Sequence, residues 1–426
     1  MKLLQILLTF VFSIMISFSI FSFNNRCIEY DVDHAHERII DDVIIKFHDK
    51  SLFLGKEKQY DNEIRKILKD GFSLVTKNVY MVKIEEMARN PNAVLNRLKA
   101  SIFIQYAEPN YIVIPCRYIP NDPLYTTQAA VLMTINAQEG WAITKGEGSP
   151  VIAIVDSGIS ATHPDLPQVV SSYSAVEGLS PFEDTVGHGT NVAGVVAAIG
   201  DNGTGVAGIN WNASLMIVKI DDAKGDLNVA NLANGIIWAA DNGAKIISLS
   251  MVSDKESYIL KDAIDHAYDK GCVIVAASGN DGMNAVRYPA RYPNVLAVGA
   301  STNGTSREPV SNYGAGLDVM ALSYYHTTTA NDGYAIVKGA SIACPQVAGL
   351  ASLILAVNPN LTNNEVYDLI RQGAKPLSGG YNRQTAHGLI DIGRTLKLAQ
   401  ATVVGVTKTP AICTAKTTPE APTRPR

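Results

Sequence analysis

The sequence predicts an α/β protein, a doubly wound and mostly parallel sheet, preceded by a small α+β domain. Three observations predict it. Between about 119 and 400, five near-continuous apolar runs recur: VIAIVD, LMIVKI, KIISLS, VIVAAS and VLAVGA. Such runs suit parallel strands covered on both faces. Helix-patterned stretches lie between them and close on Gly, as in NLANGIIWAADNG and YILKDAIDHAYDKG. From about 40 to 115 the pattern is instead strand, helix, strand, helix, strand, the outline of a small separate domain.

Taken in order, residues 3–23 are almost wholly apolar after Lys2, with no charge before Arg26. A positive residue leading an apolar run reads as a secretory signal within 1–25, or as an uncleaved anchor, since no clear cleavage site follows. Either places the bulk of the chain across a membrane. DVIIKF is then strand-like, and DNEIRKILKDG is helix-like and ends in Gly71. VYMVKI alternates as a half-buried strand, NPNAVLNRLKAS reads as a helix, and IFIQYAEPNYIVI as an extended segment. The final stretch, 401–426, is rich in Thr and Pro and reads as a disordered tail.

Composition narrows the class. The 426 residues are 47% hydrophobic and 18% charged, enough for a large core and more than one folded unit. A formal net charge of -4 without a long basic run argues against nucleic acid as a partner. Five cysteines, Cys27, Cys116, Cys272, Cys344 and Cys413, are odd in number and irregularly spaced. They form neither a metal pattern nor a disulfide framework. Cys272 and Cys344 sit among apolar residues and are expected to be buried thiols.

Three short stretches carry chemistry. They are VIAIVDSGIS around Asp156, DTVGHGTNVAG around His188 and VKGASIACPQVAG around Ser341. A Ser hydroxyl needs a base within hydrogen-bond reach to act as a nucleophile. Imidazole can accept that proton near neutral pH, and a carboxylate can hold the ring in one tautomer. Gly187 and Gly189 would let the backbone turn tightly around His188. Pro345 is expected in the first turn of the helix that Ser341 opens, where its missing N–H does no harm. Taken singly, Asp156 reads equally as a turn cap, His188 as a surface histidine and Ser341 as a plain N-cap.

Jointly, in the order Asp, His, Ser, these stretches resemble the subtilisin-like (subtilase) serine peptidases over about 280 residues. The resemblance implies a secreted, monomeric endopeptidase acting on extended polypeptides through an acyl-enzyme. Ser341 would be the nucleophile, His188 the base and Asp156 its orienter, with Asn280 of VIVAASGNDG as an oxyanion donor. AEPNYIV, at 107–113, resembles the closing strand of the family's propeptide. Residues 28–118 would then be a ferredoxin-like inhibitor domain, residues 119–400 the catalytic domain, and self-cleavage would fall within CRYIP. Thermitase-like members imply a calcium ion held by Asp122, Asp165, Ile199, Asn202, Thr204 and Val206, a hard-oxygen set. A substrate would pair as a strand with Ser250, Met251 and Val252. Its first side chain would enter a pocket lined by Ala276, Ala277, Ser278 and Gly279. Arg287 would lie near the base of that pocket, either reading acidic side chains or turned to solvent or Asp281.

The chain also departs from the family. The usual GTSMASPHVAG is GASIACPQVAG, with Ala340, Ile342, Cys344 and Gln346 replaced, and the second His of HGTH is Asn191. None of these removes a catalytic atom. The alternative is a weak or inactive member that binds peptides through the same cleft. An esterase on an α/β sheet is disfavoured by the residue order and the lack of G-x-S-x-G.

Overall fold

The computed structural model describes residues 28–30, 37–47, 72–76, 79–84, 91–101, 104–111, 118–377 and 380–403. The apolar run at 3–23, the helix expected over 61–71 and nearly all of the 401–426 tail lie outside them. The chain divides into two compact units, 1–115 and 116–426.

In the first unit the strands are β1 (Ile28–Tyr30), β2 (Glu37–Phe47), β3 (Phe72–Thr76), β4 (Val79–Lys83) and β5 (Ile104–Tyr111), with one described helix, α1 (Pro91–Lys99). The order is β1-β2-β4-β3, with β5 also on β2, and every pairing is antiparallel. Val43, Ile45 and Phe47 are buried at alternate positions of β2, the period of a strand with one covered face. They pack with Val94, Leu95 and Leu98 of α1 and with Ile104 and Ala107 of β5. The sequence reading missed β3, a short run that pairs antiparallel with β4, Thr76 opposite Val79.

The second unit begins with α2 (Tyr125–Thr134) and α3 (Ala137–Trp141). It continues through β6 (Ile152–Asp156), β7 (Val169–Ser174), α4 (His188–Ala197), β8 (Leu215–Lys219), α5 (Val229–Asp241) and β9 (Ile246–Leu249). Then come α6 (Tyr258–Asp269), β10 (Val273–Ala277), β11 (Leu296–Ser301), β12 (Val319–Leu322) and the hairpin β13 (Tyr324–Thr328) and β14 (Tyr334–Lys338). Three helices, α7 (Ala340–Val357), α8 (Asn363–Gly373) and α9 (Ile392–Val403), complete it. Seven strands form one sheet in the order β12-β11-β10-β9-β6-β8-β7, and every neighbouring pair is parallel. The five anticipated apolar runs supply β6, β8, β9, β10 and β11. The edge strand β7, VVSSYS, is only half-buried and so lacks their signature.

From β6 the chain moves to one edge and returns through β8; from β9 it moves the other way. The direction of winding thus reverses between β6 and β9, and the carboxyl ends of those strands flank a crevice. Asp156 ends β6 opposite Lys219 of β8, and Val155 lies opposite Leu249 of β9. That register brings Asp156 and Ser250 to the same rim.

Helix α7 runs through the core, buried over most of its 18 residues. Among the described residues it alone is long and apolar enough to cross a membrane, but 83% of that stretch is packed inside the domain. Pro345 stands in its second turn rather than the first, which corrects the sequence expectation. Its missing N–H would have met the Ser341 carbonyl; the Ser250 hydroxyl donates to that oxygen instead, at 2.9 Å. Gln346 extends the same tie, donating to the Leu322 carbonyl of β12 at 2.7 Å. Cys272 and Cys344 are buried free thiols, as anticipated.

Gly349 of α7 shows how close the packing is, for a Cβ there would lie 2.6 Å from Ile209 Cβ. Gly→Ala within a helix ordinarily stabilises by about 0.5–1 kcal/mol, whereas overpacking a core costs about 1–3 kcal/mol. The second effect dominates here. Gly349→Ala is therefore expected to lower the urea midpoint, and an unchanged or raised midpoint would contradict this packing.

Candidate active site

Asp156 is buried, 4% exposed, at the end of β6. Its Oδ1 accepts from the Ser157 backbone N–H and lies 2.8 Å from His188 Nδ1. An ionised carboxylate can only accept, so Nδ1 carries the proton. His188 opens α4 directly after Gly187, which adopts φ 81°, a left-handed conformation that favours glycine. A Cβ on Gly189 would meet the Gly158 carbonyl oxygen at 2.1 Å, so that position admits glycine alone.

The negative charge of Asp156 is the main reason the His188 pKa is pushed up from 6.5 to about 9. Burial opposes it; the hydrogen bond and the charge of Asp184 add to it. The folded pKa is raised, so this pairing stabilises the fold fully below about 6.5 and is lost as pH rises through about 9.

Ser341 is the second residue of α7, following Gly339 at φ 141°. A Cβ on Gly339 would fall 3.1 Å from Ser341 Oγ and 3.3 Å from Asn280 Nδ2. The glycine thus leaves open a space that both polar groups border. The Ala340 N–H donates to Asn280 Oδ1 at 2.8 Å, and the amide N–H₂ of Asn280, with no hydrogen-bond partner among the described residues, borders that space. Among the described residues no hydrogen bond joins the Ser341 hydroxyl to His188. Catalytic contacts are often this loose before substrate binds. The Asn280 loop is pinned by Asn312, a residue the sequence reading missed. Its Oδ1 accepts from the Asp281 and Met283 N–H groups, and its own N–H donates to the Gly279 carbonyl.

Other omissions lie beneath His188. Asp184 accepts hydrogen bonds from the chain on both sides of the imidazole, from Gly187 N and Thr190 N. The buried Lys219 ammonium donates to Asp221 Oδ1 and to the carbonyls of Ser157 and Glu183. One signal was available, for Lys219 is the only charge within the apolar run LMIVKI. Such a charge calls for a buried partner.

The residues expected to contact substrate are distributed around this rim. Ser250 is buried, Met251 half-buried and Val252 exposed. Ala276, Ala277, Ser278 and Gly279 are all buried. Arg287 lines a neighbouring pocket with Asp254, Met283, Ala285, Val286, Tyr288 and Arg291. Its guanidinium pairs with Asp254 and, at 2.8 Å, with Asp281.

The six residues expected to hold calcium converge. Asp165 Oδ1 accepts from Asn202 Nδ2 and Oδ2 from the Val206 N–H, each at 2.8 Å; its carbonyl accepts from the Ile199 N–H. The Thr204 N–H donates to Asn202 Oδ1. Asp122 Oδ2 accepts from the Asp201 N–H, while its Oδ1 is buried with no hydrogen-bond partner among the described residues. Burial pushes the Asp165 carboxyl up to about 6, and the charge of Asp122 adds to the shift. Among the described residues no group of three or more His, Cys, Asp or Glu could hold a metal ion. What this cluster offers is two carboxylates with amide and backbone oxygens.

Comparison with known proteins places the chain. Residues 147–389 match the model of the subtilase family. A thermophilic serine proteinase of Bacillus sp. (strain AK1) is 38% identical over 293 residues, covering 68% of this chain and 72% of that protein. Thermitase of Thermoactinomyces vulgaris is 38% identical over 264 residues, 62% of this chain and 94% of that one. A solved structure of proteases from Pseudoalteromonas arctica superposes with a TM-score of 0.61 at 27% identity, covering 66% of this chain and all of that one. A parallel sheet with a polar crevice at its switch point, matched over more than half its length by that family model, identifies the chain as a member of the subtilase family of serine peptidases.

Proposed function

We propose that the chain is a serine endopeptidase, made as a secreted or membrane-tethered zymogen. The observation that carries the mechanism is the pairing of a buried Asp156 with His188 on the rim where Ser341 and Asn280 border one open space. Ser341 Oγ attacks the peptide carbonyl carbon while His188 Nε2 takes its proton. Asp156 fixes the tautomer and stabilises the imidazolium that forms. Negative charge developing on the carbonyl oxygen meets the Asn280 amide and the Ser341 N–H. Losing one side-chain donor to an oxyanion in this way costs about 100- to 1000-fold in kcat. Collapse of the tetrahedral intermediate expels the amine, which leaves with the proton returned by His188. Water then hydrolyses the acyl-enzyme by the same steps. A substrate strand along Ser250, Met251 and Val252 would present its carbonyl to this space.

The donor set around Asp165 fits calcium, whose binding would relieve the mutual repulsion of two buried carboxylates and use the orphaned Asp122 Oδ1. Asp122, Asp165, Asn202 and the backbone at Ile199, Thr204 and Val206 would hold the ion. Bound there, it would fasten the 118–124 segment to the 199–206 loop and slow unfolding. Hydrogen bonds already link the two: the Tyr118 hydroxyl donates to Asp201 and the Leu124 N–H to the Gly205 carbonyl. The processing bond is proposed to fall within Cys116–Pro120.

Intact mass of the purified full chain, beside a Ser341→Ala copy, tests self-processing. Loss of the N-terminal unit only when Ser341 is present is the expected result. Two folded proteins that both keep their full mass would overturn autocatalysis. Removing calcium with a chelator is expected to lower the melting temperature of the Ser341→Ala protein; no change would remove calcium from the account.

A further inference from the structure

The Asp184 carboxylate takes four donors. Oδ1 accepts from Ser157 Oγ at 2.7 Å and Gly187 N at 2.8 Å; Oδ2 accepts from Thr190 N at 2.8 Å and Thr190 Oγ1 at 2.6 Å. Two of these donors relay the tie onward. Ser157 Oγ accepts from the Gly189 N–H, and Thr190 Oγ1 from the Ser160 N–H. The N–H groups on both sides of His188, at Gly187 and Gly189, and the hydroxyl of Ser157 next to Asp156 are thus bound, directly or through one hydroxyl, to a single carboxylate. Gly187, the residue before α4, has no side chain to cap the helix, so Asp184 reaches in from three residues upstream to do so.

We propose that Asp184 is a positioning residue, holding the end of β6 and the start of α4 in one frame so that the His188 ring stays between Asp156 and Ser341. This rests on the proton-shuttle role given to His188 above. Misplacing a catalytic group by about 1 Å can cost about 100-fold in rate, so the frame has kinetic consequences. Its charge has a second effect. The groups facing His188 are Asp156 from β6 and Asp184 from the loop before α4. Below them Lys219 ties the Ser157 and Glu183 carbonyls to Asp221. Both facing carboxylates favour the imidazolium. Removing the Asp184 charge therefore moves the His188 titration to lower pH.

Two measurements decide. In full-length Ser341→Ala protein, where processing is irrelevant, the His188 imidazole is titrated by NMR with and without Asp184→Asn. The expected result is a lower midpoint in the variant. In the active chain, kcat per titrated active site is expected to fall about 10- to 100-fold with KM little changed, and the acidic limb of the rate profile to move down in pH. Asp184→Glu restores the charge but not the reach, so it should recover the limb without recovering kcat. A folded Asp184→Asn protein with an unmoved midpoint and normal kcat, or one that loses only thermal stability, overturns the proposal. Absence of Ser341-dependent hydrolysis in the unaltered chain would overturn the peptidase reading instead, leaving the NMR midpoint to judge Asp184.

Discussion

A carboxylate buried at the end of a central strand is the constraint on which the rest of the site depends. An uncompensated charge there would cost far more than any one packing contact returns. Asp156 Oδ1 meets the Ser157 N–H and His188, each contact fixing a neighbour, while its Oδ2 is buried with no hydrogen-bond partner among the described residues. His188 must arrive at a helix start, Gly189 must be glycine because the Gly158 carbonyl lies where a Cβ would be, and the loop ahead of α4 must be clamped. The clamp is itself charged, with Asp184 on one side and the Lys219–Asp221 pair below. The Asp156–His188 pair is therefore one part of a larger polar network set into an apolar sheet, in which Asp184 and Lys219 each bind several neighbours.

Helix α7 shows how packing and chemistry share residues. Ser341 stands at its start, and the carbonyl of that same residue is the one Pro345 leaves without a helical partner. Ser250, at the end of β9, donates to it. A residue assigned from sequence to substrate contact thus also fastens the Ser341 backbone to the sheet. Four of the departures from the family pattern, Ala340, Ile342, Cys344 and Gln346, are buried residues of this helix. Gln346 bonds to β12, and Cys344 packs against the Leu249 and Val275 carbonyls, so these replacements rebuild the support of Ser341 without touching its hydroxyl.

Much of this was legible in the sequence, and the reasons are physical. Strands β6, β8, β9, β10 and β11 are covered on both faces, and that coverage writes itself as uninterrupted apolar runs. The edge strand β7 and the short β3 owe their conformation to one partner and leave no such trace. Asp156, His188, Ser341 and Asn280 could be singled out because each follows a strand or opens a helix beside glycine. Asp184 and Asn312 act through hydrogen bonds to loops distant in sequence or sealed by turns, and no local pattern marks them. Pro345 was misplaced by one turn because helix starts are set by capping geometry rather than by composition.

The central claim is that Ser341 is a nucleophile activated by His188. The most direct test is to expose the folded chain to a fluorophosphonate, which phosphonylates activated serines with loss of fluoride, and locate the adduct by peptide mass spectrometry. The account predicts one adduct, on Ser341, that is lost or greatly slowed in His188→Ala. Modification at another serine, or none on a folded and processed chain, would contradict it.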